Sequence, residues 1–393
     1  MDEDLHPQPH EQSVLKTSAA MGGRFLPDEV KKIAPQDLAR ARISLMANSL
    51  IISRMNTIDL VGECGYVDQD YPDLFLPDRL WLATPLPGAD VSMRWLSYLL
   101  SSTPVRRAMS AAATGTSGSM KNISKPSLLA IEVVRPPLHE QERIATALSH
   151  LDDAAITREA LISKKKDLRE AVRQALMQGA IRLSGYSTPW DEVTLGQAGT
   201  FVRGVSYDPE RDLTRDDDPG TVRLLRANNI QSGVLNATDI QHVRERRVSA
   251  AQVLRPRDIV VCAANGSRQL VGKAAGFHLN DGHTYTFGAF MVCYRSDPLV
   301  VDPRFAVQLL QTRRYREQVD VALAGSSINN LGPAALAPMS FLVPSLLEEQ
   351  RAVAAVLEDL DHEVAVNSAL LAKLHDLKTA LAQELLSGRT RLA

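Results

Sequence analysis

The chain has 393 residues, 45% of them hydrophobic, enough for two or three domains with sizeable cores. Its 44 Lys and Arg against 46 Asp and Glu leave a net charge of −2, which excludes a globally basic nucleic-acid binder and confines any such surface to local patches. Cys64, Cys262 and Cys293 are too few and too dispersed for a disulfide framework or a zinc site and fit a reducing cytoplasm, while no run resembles a signal peptide or approaches the roughly 18 apolar residues of a membrane helix.

Residues 1–12 are polar, acidic and proline-bearing, which predicts a disordered start with order from about Val14. From there to Arg135, short apolar runs between Gly, Pro and Asn predict a mixed α+β domain. It holds a strand at Ser49-Leu-Ile-Ile-Ser53, a strand with a turn at Leu60-Val-Gly62, and a short helix from Val91 to Leu100. Pro27-Asp28-Glu29 with Lys31 superficially matches a nuclease carboxylate motif, but it lies in one charged run with helix-like spacing and is set aside. Pro136-Pro137 then opens about 40 residues without another proline, closing at Gly179, which predicts a capped helix about 60 Å long. A second mixed domain follows, and a second long helix runs from Pro344 to Gly388. The expected domains are therefore 1–136, 137–183, 184–343 and 344–393.

The two helices repeat each other. Residues 137–183 and 346–392, laid together without a gap at an offset of 209, agree at 18 of 47 positions, among them Glu140/Glu349, Gln141/Gln350, Asp152/Asp361, Gly179/Gly388 and Arg182/Arg391. Agreement of that length marks an internal duplication. The globular domains echo each other more faintly: Leu225 to Gly233 resembles Leu15 to Gly23, Asp258-Ile-Val-Val261 resembles Ser49-Leu-Ile-Ile52, and Leu270-Val-Gly272 resembles Leu60-Val-Gly62. Stepping by three and four along the second helix gives the seam Val353, Leu357, Leu360, Val364, Asn367, Leu371, Leu374, Lys378, Leu381 and Leu385. Its counterpart is Ile144, Leu148, Leu151, Ala155, Arg158, Ile162, Lys165, Arg169, Val172 and Leu176, with Leu161 and Leu168 offering a shifted stripe. Neither stripe can be buried alone, so the helices are expected to pair with each other, antiparallel about a pseudo-dyad, rather than each packing on its own domain.

No catalytic constellation survives inspection. The chain has no GxxxxGK[ST] loop, no GxGxxG after a strand, no HExxH, no CxxC pair and no Asn-Pro-Pro-aromatic or Asp-Pro-Pro-aromatic tetrapeptide. Its nine histidines are scattered without ligand spacing. What remains is side chains suited to base edges and phosphates, since Arg can be bidentate to guanine, Asn bidentate to adenine, and Ser or Lys can hold phosphate. In the second domain the candidates are Arg226, Asn228, Asn229, Asn265, Ser267, Arg268, Lys273, Ser326, Ser327 and Asn329. The corresponding loops of the first domain offer Lys16, Arg24, Arg54, Asn56, Lys121 and Asn122.

The run Pro137-Leu-His-Glu-Gln-Glu-Arg-Ile-Ala145 with Leu151-Asp152, and its repeat from Leu347-Glu-Glu-Gln350 to Leu385-Leu-Ser-Gly-Arg-Thr-Arg-Leu392, resemble the spacer helices of specificity subunits of Type I restriction-modification enzymes. Trp190 with Val193-Thr-Leu-Gly196 and Phe201-Val-Arg-Gly204 is similar to the opening of a target-recognition domain of that family. The resemblance implies two target-recognition domains, each reading half of a split double-stranded DNA site, and an antiparallel coiled coil whose length sets the gap between the halves. It further implies methyltransferase subunits, two of them, and a restriction and translocase subunit as partners, with S-adenosylmethionine on the methyltransferase and no cofactor, metal or catalysis in this chain. A coiled-coil protein scaffold without DNA specificity is the alternative. One departure is visible: residues 184–209, with Trp190, Leu195, Phe201 and Gly204, have no counterpart in the first half. The first domain is thus expected to lack its opening of about 25 residues. A start further upstream, a shortened variant or partial substitution by the acidic tail would each account for it.

Overall fold

The computed structural model describes residues 11–117, 120–231, 233–324 and 329–391. The expected disordered start falls almost wholly outside them, as do Ser326 and Ser327. The chain divides into two compact units, Met1–Ala160 with Ser368–Ala393, and Leu161–Asn367.

In the first unit, β1 (Ser13–Leu15), β2 (Ser49–Ser53), β3 (Cys64–Val67), β4 (Tyr71–Phe75) and β5 (Leu80–Ala83) supply the principal strands of two sheets. β1 runs parallel to β4 and antiparallel to Val30–Lys32. β2 lies between β3 and β5, antiparallel to both, and all five of its residues are buried, which is why it reads as an unbroken apolar run instead of an alternating one. α1 (Met93–Ser101) begins where the Ser92 hydroxyl accepts the Trp95 N–H at 3.3 Å, and α2 (Thr103–Ala112) follows it directly. Two expectations are corrected here. Leu60–Val61–Gly62 is a turn, because Gly62 adopts φ +80° and donates its N–H to the Ser53 carbonyl at 2.6 Å; a Cβ there would stand 2.5 Å from Met109 Sδ. The charged run near Pro27 is likewise not helical, since pairing with β1 draws Val30–Lys32 into a strand and leaves Glu29 accepting the Ser18 hydroxyl at 2.6 Å. Trp95, Met109 and Ile123 form the core of this unit with Ile144 and Leu148 of the long helix α3 (Leu138–Met177).

The second unit repeats that plan and adds to it. Its strands include β6 (Trp190–Thr194), β7 (Gly199–Arg203), β8 (Thr221–Leu225), β9 (Ile259–Cys262), β10 (Ala274–Gly276), β11 (Tyr285–Phe287), β12 (Met291–Ser296) and β13 (Ser340–Pro344). β8 runs parallel to β11 as β1 does to β4, and β9 lies between β10 and β12 as β2 lies between β3 and β5. Gly272, at φ +87°, matches Gly62 in backbone and in setting: a Cβ would meet Val319 of helix α5 (Arg313–Ala324) at 2.9 Å. The additions are β7, which flanks β12, and β6, which pairs with β13. A short helix α4 (Pro303–Leu309) precedes α5, and the second long helix, α6 (Leu347–Leu386), closes the unit's core with Val353 and Leu357.

Each long helix contributes to both units. Within the first, the early part of α3 faces the late part of α6: Asp152 accepts Lys378 at 2.6 Å and Glu140 accepts Arg391 at 2.5 Å. Within the second, Arg169 and Arg173 reach Asp361 at 3.2 and 3.4 Å, Lys165 pairs with Glu363, and Arg182 pairs with Glu349 at 2.6 Å. Numbers fall along one helix as they rise along the other, so the pairing is antiparallel in each unit. Every seam position named from the heptad is buried or half-buried, whereas Leu161 and Leu168 of the shifted stripe are 38% and 55% exposed. Both helices end on a glycine with positive φ, Gly179 at +69° and Gly388 at +72°, which reverses the chain after the last turn.

Candidate nucleic-acid interface

In the second unit, several loops converge on a cleft of about 1220 Å³. The turn after β8 brings Arg226 and Asn228, the loop after β9 brings Asn265, and the strand-like segment pairing Asn330 with Ala264 brings Asn329. These four residues, singled out by side-chain type alone, come from three stretches far apart in sequence and line one cleft. Asp239 holds two of them, accepting Arg226 Nη2 and Asn228 Nδ2 at 2.8 Å each, so guanidinium and amide are presented together. Asn265 uses its Oδ1 to accept the Ser267 N–H at 2.9 Å, which leaves its NH2 for a ligand. Asn329 donates Nδ2 to the Gly266 carbonyl at 3.2 Å and keeps Oδ1 for the cleft.

The remaining candidates separate. Asn229 is a correction: it is 2% exposed, accepts the Arg226 N–H at 2.8 Å and donates to the Asn236 and Asp239 carbonyls, so its amide is used up in shaping the turn. Ser267 and Lys273 are exposed but do not line the cleft, and Arg268 donates to the Asp320 carbonyl at 2.8 Å. Ser326 and Ser327 lie outside the described residues.

The first unit brings three of its candidates, Asn56, Lys121 and Asn122, onto the small sheet of Met55–Asn56, Thr114–Ser117 and Met120–Asn122, with Arg54 just before it. Asn56 pairs with Lys121 across it. Asn56 is largely engaged, accepting the Thr57 N–H at 2.9 Å and donating to Ser53 Oγ at 3.3 Å, while Lys121 donates to the Gly115 carbonyl at 2.8 Å. Arg54 and Lys125 both stand 5.9 Å from the centre of the Trp81 ring. The Arg54 Nε and Asn122 Oδ1 are buried without a hydrogen-bond partner among the described residues, polar capacity that burial alone would disfavour. Lys16 approaches Glu29 at 3.9 Å, and Arg24 is carried by the strand Gly23–Phe25; neither joins the small sheet.

Residue types on loops led to part of this wall and missed Tyr207, Gln241 and Phe290, which also line the second unit's cleft. A phenylalanine inside an apolar stretch reads as core, and only the fold shows Phe290 to be 70% exposed. The arrangement offers hydrogen-bond donors, acceptors and cations, and away from the cleft lining burial pushes the Cys64 thiol up to about 12 and raises those of Cys262 and Cys293 as well. No group of three His, Cys, Asp or Glu among the described residues could hold a metal ion, and no described helix is long and apolar enough to cross a membrane.

No family model matches the chain. It is 30% identical over 199 residues to the Type I restriction enzyme StySPI specificity subunit of Salmonella potsdam, a match covering 51% of this chain and 42% of that relative. With the Type I restriction enzyme EcoKI specificity subunit of Escherichia coli K12 it shares 31% identity over 201 residues, again 51% of this chain and 42% of the relative. Less than half the length of either relative is therefore matched. In fold it is similar to the S subunit of a Type I restriction-modification system from M. genitalium, with a TM-score of 0.59 at 16% identity over 88% of this chain and 84% of that one. A duplicated pair of long helices, two mixed units of one plan, sequence and fold point the same way, and the chain is similar to the specificity subunits of Type I restriction-modification systems.

Proposed function

We propose that this chain reads a bipartite double-stranded DNA sequence, one half with each unit, and positions the methyltransferase and restriction subunits of a Type I restriction-modification complex on it. The observation that carries the reading is the cleft where Arg226 and Asn228 from one turn, Asn265 from a second loop and Asn329 from a third meet, the two latter with hydrogen-bonding capacity left over. The charge balance supports a division of labour, since a chain with a net charge of −2 is not built to neutralise a duplex by itself, and partner subunits contribute cations. In this reading S-adenosylmethionine belongs to the methyltransferase partner, as do base flipping and methyl transfer. The chain itself supplies recognition.

The test is selection from random-sequence duplexes, by the full chain alone and with the methyltransferase subunit of its own source, at a series of salt concentrations. A split consensus is expected, with log affinity falling linearly in log salt as phosphate contacts release counterions. Methyl transfer by the isolated chain supplied with S-adenosylmethionine, or an absence of any selected sequence in the complex, would refute the proposal.

A further inference from the structure

The two units share a backbone device whose side chain differs. In the second, the loop after β11 ends at Phe290, immediately before β12, and its carbonyl accepts two N–H groups, from Ala263 at 2.8 Å and Ala264 at 3.0 Å, at the end of β9. In the first, Arg79 immediately precedes β5, and its carbonyl accepts the Arg54 N–H at 3.0 Å, at the end of β2. The two positions correspond by strand: β5 pairs with β2 as β12 pairs with β9, Leu80 opposite Ser53 and Met291 opposite Cys262. The following contact corresponds too, since Ile123 donates its N–H to the Arg54 carbonyl at 3.0 Å and Leu331 donates to the Ala263 carbonyl at 2.7 Å.

Backbone hydrogen bonds thus fix where this residue sits, while its side chain points outward. Phe290 is 70% exposed on a wall it shares with Arg226, Asn228 and Asn265. Arg79 is exposed, and its guanidinium makes no hydrogen bond or ion pair among the described residues. A large apolar ring held in water on a pinned backbone gains nothing for the fold, because burial is what makes such rings stabilising. It is suited to a ligand that brings an apolar group to it.

We propose that Arg79 and Phe290 are specificity-determining residues at one equivalent position of the two units, Phe290 contacting the C5 methyl of a thymine and Arg79 the O6 and N7 of a guanine, each in the major groove. Only the major groove offers both groups, and these pairings follow from their chemistry. The inference rests on the DNA-reading function proposed above and adds which position makes the two half-sites differ.

The experiment repeats the selection from random-sequence duplexes with the wild-type chain, Phe290→Ala, Phe290→Leu and Arg79→Ala, each in the complex. Phe290→Ala should relax one thymine in one half-site and weaken the selected duplex roughly fivefold or more, leaving the other half-site unchanged. Replacing that thymine by deoxyuridine, which removes only the methyl, should weaken wild type similarly and Phe290→Ala hardly at all. Phe290→Leu, still apolar, should retain most of the preference. Arg79→Ala should relax one guanine in the other half-site. Thermal unfolding of the variants should match wild type, because both side chains are exposed. An unchanged consensus with Phe290→Ala, or indifference of wild type to deoxyuridine, overturns the assignment of Phe290 while leaving DNA recognition standing. Uniform weakening across sequences with Arg79→Ala makes Arg79 a phosphate contact and overturns its half of the proposal. A wild-type complex that selects no sequence overturns both the inference and the function beneath it.

Discussion

Gln141 and Gln350 show how much a single repeated residue can carry. Each is buried near the start of its long helix. Gln141 accepts the Ser92 N–H at 2.9 Å and donates to the Pro136 and Asp90 carbonyls; Gln350 accepts the Asp302 N–H at 2.7 Å and donates to the Pro344 and Val300 carbonyls. Ser92 and Asp302 are in turn the caps of α1 and α4, so one amide ties a long helix, the strand-like segment entering it and the first turn of a domain helix together. Gln350→Ala removes all three bonds and leaves a buried N–H and buried carbonyls unpaired. A loss of about 2–3 kcal/mol is expected, each unsatisfied buried group costing about 1–3 kcal/mol with partial relaxation. The shift of the denaturation midpoint followed by Trp190 fluorescence checks it; a shift no larger than that of a surface substitution would show the amide to be dispensable. The repetition of Glu-Gln was plain in the sequence, but its role was not, because the partners of Gln141 lie as far as 51 residues away and are backbone groups of no particular residue type.

At the scale of elements, the long helices were legible and the short strands were not. A 40-residue helix displays its period many times, so every position found by stepping in threes and fours is buried or half-buried, although Arg173, buried against Asp361 of the facing helix, falls outside that count. Ala20–Met21 or Met55–Asn56, two residues each, display no period at all, and of the strand with a turn expected at Leu60–Gly62 only the turn is found there, because an apolar pair before glycine looks the same in a strand and in a turn. Three polar seam positions find partners on the facing helix, Lys378 with Asp152, Arg169 with Asp361 and Lys165 with Glu363. Desolvating such pairs offsets most of their attraction, so their contribution lies more in selecting which residues face each other than in net stability. Apolar seam residues carry the stability. Leu148→Ala, at a position with 0% exposure, is expected to cost about 2–5 kcal/mol, whereas Leu168→Ala, 55% exposed, should stay within about 0.5 kcal/mol. Comparable losses from the two substitutions in chemical denaturation would show that the shifted stripe is the buried one after all.

Across the whole molecule, duplication followed by divergence accounts for what is alike and for what is not. The parallel pairing of β1 with β4 and of β8 with β11, the glycine turns at Gly62 and Gly272, and the glutamine ties all repeat. The strands β6 and β7 do not: in the first unit β5 has β2 on one side and no described strand on the other, whereas its counterpart β12 lies between β9 and β7. Residues 131–135 correspond to β13 but belong to no described strand, and Val133 and Val134 are 41% and 66% exposed where β13 is paired to β6. The absence of a match for residues 184–209 had already pointed to this asymmetry from the sequence, since a count of the repeat needs no geometry; which edges it leaves open does need it. An open strand edge presents unpaired N–H and C=O groups that exchange with water and accept other strands. Hydrogen exchange on the full chain should therefore find the β5 amides that face away from β2, and those of 131–135, exchanging orders of magnitude faster than the matching amides of β12 and β13. A mixture with a synthetic peptide of residues 184–209 should slow exchange along β5 if the edge accepts the strand that the second unit carries there. Equal protection of β5 and β12 without any peptide would mean that the edge is already covered, and that the first unit closes its sheet by a route other than the one its twin uses.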